Sequence, residues 1–246
     1  GVITIGVAAF SGCTGLTSVT IANSVTSIRE NAFSACTGLT SVTIPDSVSS
    51  IGDSAFQGCT ELTDITIPES VEKIGQGAFR ECSTLPTVVI PNRVTSIEPY
   101  TFRDCTALTN VTIPASVASL GAGAFYQCSG LTSIEIPGRI VSWGGGGGDP
   151  LRDDREARYN DQRWPKGTFE SSGLTDASIL RGADHIGDWA FANCRNLTDV
   201  TIGKGVTSIG YNAFLHCTLL QNAFVSGDAP SLLSYFGEPS SNTAFD

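Results

Sequence analysis

A 23-residue repeat runs through most of this chain and constrains its fold more than any other feature. A Phe recurs at this spacing from position 10 to 125 and again from 191 to 214. Each of these Phe residues is followed by a Cys after three positions and by a Leu after three more. The eight pairs are Phe10 and Cys13, Phe33 and Cys36, Phe56 and Cys59, Phe79 and Cys82, Phe102 and Cys105, Phe125 and Cys128, Phe191 and Cys194, and Phe214 and Cys217. A unit this short cannot bury an apolar face alone, so the pattern predicts a solenoid of stacked units.

Each unit contains short apolar patterns separated by turn residues. Val19 and Ile21 alternate with Ser and Thr, which predicts a short half-buried strand. A second apolar pair follows in the same unit, Val25 and Ile28. The segment around each Phe is too short for a helix of its own, so we expect one helical or 3₁₀ turn there.

The full unit reads A-F-x-x-C-x-x-L-T-x-V-T-I-P-x-S-V-x-x-I-G, and it resembles the BspA-type (treponemal class) leucine-rich repeat. The resemblance implies a leucine-rich-repeat solenoid in which each 23-residue coil has a β-strand plus short helical or 3-10 turns. It also implies a right-handed horseshoe or arc, with one irregular insertion. The family implies a secreted or surface-exposed protein, usually bacterial, that adheres to or binds host proteins, other cells or glycans.

The repeat pattern divides one solenoid domain into four segments. We expect residues 144–168 to stand in for about one repeat, followed by a degenerate repeat that is one residue short and begins at Phe169. The predicted divisions of the single domain 1–246 are regular repeats over 1–143, a charged insertion containing Gly and Trp over 144–168, resumed repeats over 169–225, and an irregular or truncated C-terminal coil over 226–246. Since the sequence contains no Met, we also expect Gly1 to lie inside a longer precursor.

The insertion is the most unusual part of the sequence. Five acidic and five basic residues lie among the 18 positions from Asp149 to Lys166. One interpretation is a surface loop, with the neighbouring Trp residues sealing the adjacent coils. The other is a recognition loop with Arg158, Tyr159 and Trp164 as anchors, since such loops on rigid scaffolds often carry function.

The insertion also contains the only group of carboxylates that suggests catalysis. Paired carboxylates of this kind catalyse glycoside hydrolysis. The interleaved arginines favour solvated ion pairs instead. The acidic residues in question are Asp153, Asp154, Glu156 and Asp161.

The outward positions of the predicted strands form a polar surface. In a horseshoe this surface lines the concave face, where such proteins usually bind partners. The predicted contacts on it are Thr20, Thr43, Thr66 and Thr112. A surface that is merely solvated is the alternative.

Cysteine and histidine patterns predict neither metal nor cofactor binding. A row of Cys is not a tetrahedral cluster, and no C-x-x-C occurs, so we expect buried free thiols rather than zinc ligands. His185 and His216 have no catalytic or metal-ligand spacing. We therefore predict no catalytic residues, no metal and no cofactor.

Charge and hydropathy exclude several classes of partner. A formal net charge of −10 disfavours nucleic acid, because phosphates would be repelled. No apolar run approaches the ~20 residues of a membrane-spanning helix. The sequence therefore predicts a non-enzymatic, secreted or cell-surface protein that binds a protein or glycan through the concave strand face and the 144–168 loop. The alternatives are a structural protein that self-associates through its end coils and a carbohydrate-active protein with carboxylates in the insertion.

Overall fold

The computed structural model describes residues 1–135, 140–144, 167–177, 183–203 and 206–225, and these form a parallel β-solenoid of about eight turns. Each regular coil contributes one strand to each of two stacks. The long-strand ladder contains β2 (Ser18–Thr20), β4 (Ser41–Thr43), β6 (Asp64–Thr66), β8 (Thr87–Val89), β10 (Asn110–Thr112), β13 (Asp176–Ala177), β15 (Asp199–Ile202) and β17 (Asn222–Val225). The short-strand ladder contains β1 (Thr4–Ile5), β3 (Ser27–Ile28), β5 (Ser50–Ile51), β7 (Lys73–Ile74), β9 (Ser96–Ile97), β11 (Ser119–Leu120), β12 (Ser142–Trp143), β14 (His185–Ile186) and β16 (Ser208–Ile209). The predicted solenoid fold is confirmed.

Neighbouring coils stack in the register that the repeat predicts. In the long-strand ladder Val42 of β4 lies opposite Val19 of β2 and Ile65 of β6, in parallel. In the short-strand ladder Ile51 lies opposite Ile28 in the same way. Like residues therefore form continuous rows, because a strand whose side chains alternate in direction keeps the same positions buried in every coil.

The turn that carries the repeated Phe is not the helical or 3₁₀ turn expected from the sequence, and the described residues contain no helix. The Phe33 N–H donates to the carbonyl of Ala55 in the next coil (2.7 Å), whereas the Ser34 N–H donates to Asn31 in its own coil (3.0 Å). Alternate amides of this segment thus bond the next coil, and the amides between them bond their own coil. We call this segment the Phe turn. It cannot form a helix, because a helix needs consecutive amides that bond within one segment.

The Phe rings form the spine of the core. Consecutive rings from Phe10 to Phe125 stack almost parallel, with centroids 5.2–5.6 Å apart. The ring of Phe33 is fully buried, as are its equivalents in the central coils. Each ring between Phe10 and Phe214 is packed against a ring above and one below, so the coils depend on one another for burial.

The spine passes directly from Phe125 to Phe169, although 44 residues separate them. The two rings stack at 5.2 Å, and the Phe125 N–H donates to the carbonyl of Thr168 over 2.8 Å. Phe169 then stacks on Phe191 at 5.3 Å. The additional chain is therefore inserted within one coil, between β12 and the Phe turn, which differs from the expectation that 144–168 stands in for a repeat.

Candidate functional site

Four of the predicted contact residues lie on the solvent side of the long-strand ladder. Thr20, Thr43 and Thr66 form one in-register row, and all three are exposed. Thr112 is exposed in β10, where it pairs with Val89. The structure thus brings the four predicted threonines to one side of the solenoid, here called the strand face. Whether this face binds a partner stays a prediction.

The strand face also carries acidic side chains. Asp64, Glu135 and Asp176 are exposed there, and Asp199 is half-buried. Hydrogen bonds from the Asn222 amide (2.8 Å) and the Thr198 hydroxyl (2.7 Å) lower the pKa of Asp199. These carboxylates favour a neutral or cationic partner, since an anionic one would be repelled.

The two ends of the inserted chain are fixed to the solenoid. The Thr168 hydroxyl donates to the carbonyl of Gly144 over 3.0 Å, and this bond joins the first residue of the insertion to its last. The Gly167 N–H donates to the carboxylate of buried Glu170 over 3.1 Å. A Cβ atom at Gly144 would collide with the Ala122 backbone. Close packing at both ends therefore anchors the insertion to the corner between the short-strand ladder and the Phe turn.

Trp143 closes the coil at the base of the insertion. Its indole ring is buried and meets the rings of Phe169 and Phe191 edge-on, with centroids 6.2 and 6.0 Å away. The indole Nε1 has no hydrogen-bond partner among the described residues. This coil therefore contains a buried, unsatisfied donor, whereas a regular coil has an Ile without a donor at this position. Trp143 thus seals neighbouring coils. The surface-loop interpretation of the sequence predicted this role for the tryptophans next to the insertion.

The remaining predicted contacts, Arg158, Tyr159 and Trp164, lie outside the described residues. The four carboxylates considered for glycoside chemistry lie outside them as well. Their roles stay predictions. Within the ranges that the structure describes, no three His, Cys, Asp or Glu side chains are grouped so as to hold a metal ion.

An aromatic cluster that was not predicted from the sequence lies on the Phe turns next to the insertion. The Arg103 guanidinium lies over the rings of Tyr100 and Tyr126, 5.7 and 5.2 Å from their centroids, and its Nε bonds Asp104 at 3.0 Å. Burial, reinforced by the nearby carboxylate of Glu170, raises the pKa of Tyr126. We call Tyr100, Arg103 and Tyr126 the tyrosine–arginine cluster.

A comparison of equivalent positions across the coils would have revealed this cluster. Asn31 and Ser54 stand where Tyr100 stands, so the fold does not require an aromatic residue there. Tyr100 also adopts a left-handed conformation, with φ 58°, which is unfavourable for a bulky side chain. An aromatic residue that packing does not require, in an unfavourable conformation and half-exposed, marks a candidate contact surface.

The thiols are free, as expected, and they are also hydrogen-bonded. Seven of the eight are buried, and Cys13 in the first coil is exposed. The Cys59 thiol donates to the carbonyl of Phe33 in the preceding coil over 3.3 Å. Burial raises its pKa to about 12. A thiol in this state is neutral and inert at physiological pH, so the cysteine row is structural rather than catalytic.

Two stacked parallel ladders, a continuous Phe spine and a buried Leu and Cys row define a leucine-rich-repeat solenoid. The BspA type leucine rich repeat region matches residues 1–109, 73–145 and 162–238 in six copies, so the chain belongs to this family.

Solved structures of bacterial leucine-rich-repeat proteins are similar to this chain. A leucine rich cell surface protein from Faecalibacterium prausnitzii is 32% identical, with a TM-score of 0.60 over 92% of this chain. The match spans 65% of the length of that protein. A leucine-rich repeat protein from Eubacterium ventriosum is 22% identical and shares the fold, with a TM-score of 0.50 over 90% of this chain and 70% of its own.

No curated protein matches the chain significantly. Among the described residues, no helix has the length and apolar character needed to cross a membrane.

Proposed function

We propose that this chain is a non-enzymatic binding protein, secreted or held at a bacterial cell surface. It recognises a protein or glycan through the strand face and the 144–168 insertion. Family membership and the 32% identity to a leucine rich cell surface protein support the location. The observation that carries the binding role is the direct stacking of Phe169 on Phe125, although the chain between them is 21 residues longer than one period.

We infer from this stacking that recognition and folding depend on different residues. Because Phe125 and Phe169 stack at 5.2 Å, the Phe spine is continuous from the coil before the insertion to the turn after it. A rigid scaffold that carries a long additional segment is a common arrangement for binding loops. Tyr, Trp and Arg, which this segment contains, are the residues that contribute most to interface energy.

The surfaces around the insertion extend the proposed binding region. The tyrosine–arginine cluster lies on the Phe turns immediately before the insertion and supplies half-exposed rings and a guanidinium. The strand face, on another side of the coil, supplies hydroxyl and carboxylate groups. We infer that the insertion and the cluster contribute affinity, and that the strand face provides weaker polar contacts over several coils.

The 23-residue period determines which residues to delete in the experiment that tests this proposal. Residues 146–166 are the 21 residues by which the coil from Phe125 to Phe169 exceeds the 23-residue period. Deleting them leaves a coil of regular length. The intact chain and the deletion variant would be tested against immobilised mucin, mannan, xylan and chitin oligosaccharides. Binding by the intact chain that is lost in a folded deletion variant supports the proposal; equal binding by both contradicts it.

Matched variants separate the contributions of the other surfaces. Tyr100→Asn and Tyr126→Gln introduce the residues found at the same positions of earlier coils, Asn31 and Gln57, so the fold is preserved. We expect these changes to weaken binding several-fold. A triple Thr20→Ser, Thr43→Ser and Thr66→Ser variant keeps the hydroxyls and serves as the control for the strand face.

A further inference from the structure

Three consecutive Phe turns before the insertion carry a row of arginine and tyrosine side chains. Arg80, Arg103 and Tyr126 each directly follow the spine Phe of their coil, so they occupy equivalent positions of the repeat. Earlier coils have Ser34 and Gln57 at this position, so the fold does not require Arg or Tyr there. The spine rings of these three coils are 5.6 and 5.5 Å apart, which sets the spacing of the row. We call Arg80, Arg103 and Tyr126 the turn row.

Each arginine of the turn row forms an ion pair with the residue that follows it. Arg80 Nη2 lies 2.8 Å from Glu81 Oε1, and Arg103 Nε lies 3.0 Å from Asp104 Oδ2. All four side chains are partly exposed, from 24% at Asp104 to 42% at Glu81. A guanidinium only donates hydrogen bonds and a carboxylate only accepts them, so each pair suits a hydroxyl group, which does both. The two pairs together carry no net charge and therefore favour a neutral ligand.

Aromatic surface lies beside the second of these ion pairs. The half-exposed rings of Tyr100 and Tyr126 lie 5.7 and 5.2 Å from the Arg103 guanidinium. The faces of such rings are electron-rich, and they attract the weakly positive C–H groups on the flat side of a sugar ring. None of the large apolar side chains exposed within the described ranges lies on these three Phe turns. The surface therefore lacks the apolar core of a protein interface, and it matches a sugar better than a protein.

We propose that the turn row and Tyr100 bind an extended, neutral, β-1,4-linked glycan that lies along the solenoid axis. Such a chain is straight, exposes the flat C–H sides of its pyranose rings, and advances per sugar by a distance close to the 5.5–5.6 Å between these coils. Successive sugars would therefore meet successive coils. An α-1,4-linked glucan curls and would leave the straight row. The inference rests on the proposed function, since it names the ligand of one surface that the proposed function assigns to binding.

Oligosaccharides of equal length test the linkage and the charge of the ligand. Isothermal titration calorimetry of the intact chain would compare cellohexaose, xylohexaose and chitohexaose, which share the neutral β-1,4 backbone and differ in their substituents. We expect at least one of them to bind more tightly than maltohexaose, which has the α-1,4 linkage, and than a β-1,4-linked mannuronate hexamer, which is anionic. This binding should change little between about 0.05 and 0.5 M NaCl, because salt weakens only attraction between charges.

Variants taken from the repeat locate the site. Arg103→Gln and Tyr126→Gln each introduce the residue of an earlier coil, Gln57, so the fold is preserved. Each should weaken binding of the neutral hexamer at least about fivefold, as the loss of an Arg or Tyr anchor usually does. The matched control is Trp189→Asn, which removes a half-buried aromatic residue from a Phe turn beyond the insertion and introduces the residue of the next coil, Asn212. It should leave binding unchanged.

Three results would overturn the inference: no binding of any neutral β-1,4-linked hexamer, tighter binding of the mannuronate hexamer, or equal binding by the intact chain and the Tyr126→Gln variant. None of these affects the test of the proposed function, which depends on deleting residues 146–166. Loss of binding in that deletion variant, with full binding in Arg103→Gln and Tyr126→Gln, would support the proposed function and overturn this inference alone.

Discussion

The Sγ of Cys82 donates a hydrogen bond to the backbone carbonyl of Phe56, 26 residues earlier, over 3.2 Å. The same carbonyl also accepts the amide of Cys59 in its own coil, at 3.2 Å. One acceptor therefore closes the Phe turn of its own coil and binds the next coil. This dual use explains why a Cys, which is as compact as a small apolar residue but carries a weak donor, suits this position better than Ala or Val.

The buried thiols should make the protein sensitive to alkali. Burial raises the pKa of Cys36, Cys82 and Cys128, so these thiols stay neutral in the folded chain at a pH where the unfolded chain ionises them. A raised folded pKa gives stability that is complete below pH ~9 and is lost as the pH rises toward the folded value. We expect the free energy of unfolding to fall by up to ~1.4 kcal/mol per pH unit for each such thiol.

Urea unfolding between pH 7 and 11 measures this effect. Cys82→Ser removes one buried thiol and should reduce the slope of stability against pH above pH ~9 relative to the unaltered chain. An unchanged slope in this variant would mean that the thiol is not responsible.

Truncations along the Phe spine should have graded effects. Phe79 is fully buried between Phe56 and Phe102, at 5.5 and 5.6 Å. We expect Phe79→Ala to destabilise the chain by about 3–5 kcal/mol, because it leaves a cavity between two rings. Phe10→Ala removes a half-exposed ring and should have a clearly smaller effect. Thermal or urea unfolding of the two variants compares them directly, and equal losses would contradict a spine that relies on two-sided packing.

Much of this fold could be predicted from the sequence because the repeat determines it. Val42 and Phe33 recur with a fixed period, so their burial follows from stacking alone. The Phe turn was predicted incorrectly because one coil considered alone does not reveal that the Phe33 amide bonds the next coil. The position of the insertion depends on Phe169, whose place in the spine is recognisable only when the 44-residue gap from Phe125 is compared with one period.

The candidate site was less predictable for a related reason. Exposure of Thr43 follows from strand alternation, so the strand face could be located from the sequence. The cation–π contacts of Arg103 with Tyr100 and Tyr126 join residues of two coils at positions that the repeat leaves variable. The repeat cannot predict contacts at positions where successive coils carry different residue types.

Two glycines of adjacent turns should respond differently to substitution. Gly58 has φ +71°, but a Cβ atom there would meet Ala35 Cα at an ordinary 3.6 Å, so only backbone strain opposes Gly58→Ala. We expect a loss of about 1 kcal/mol. A Cβ atom at Gly52 would lie 2.6 Å from the backbone carbon of Arg29, so Gly52→Ala requires two coils to separate. Its loss in urea unfolding should be severalfold larger than that of Gly58→Ala, and the reverse order would contradict the close coil contact.

Pro86 should weaken the junction between β6 and β8 in the long-strand ladder. The Thr63 amide donates to the carbonyl of Thr40 over 3.0 Å, and Pro86 occupies the equivalent position of the next coil without an N–H group. The carbonyl of Thr63 consequently receives no backbone bond from the described residues, and β6 and β8 fall in separate sheets. We expect Pro86→Thr to supply this bond, because Thr is the residue of the preceding coils.

Hydrogen exchange tests the junction at single-residue resolution. In the Pro86→Thr variant, the amide introduced at position 86 should be protected to the same degree as the Thr63 amide, and the amides of β8 should exchange more slowly than in the unaltered chain. The net gain in stability should stay within about 1 kcal/mol, because losing the proline increases the entropy of the unfolded chain and offsets part of the new bond. Fast exchange at position 86 would show instead that β6 and β8 are held apart by something other than the missing donor.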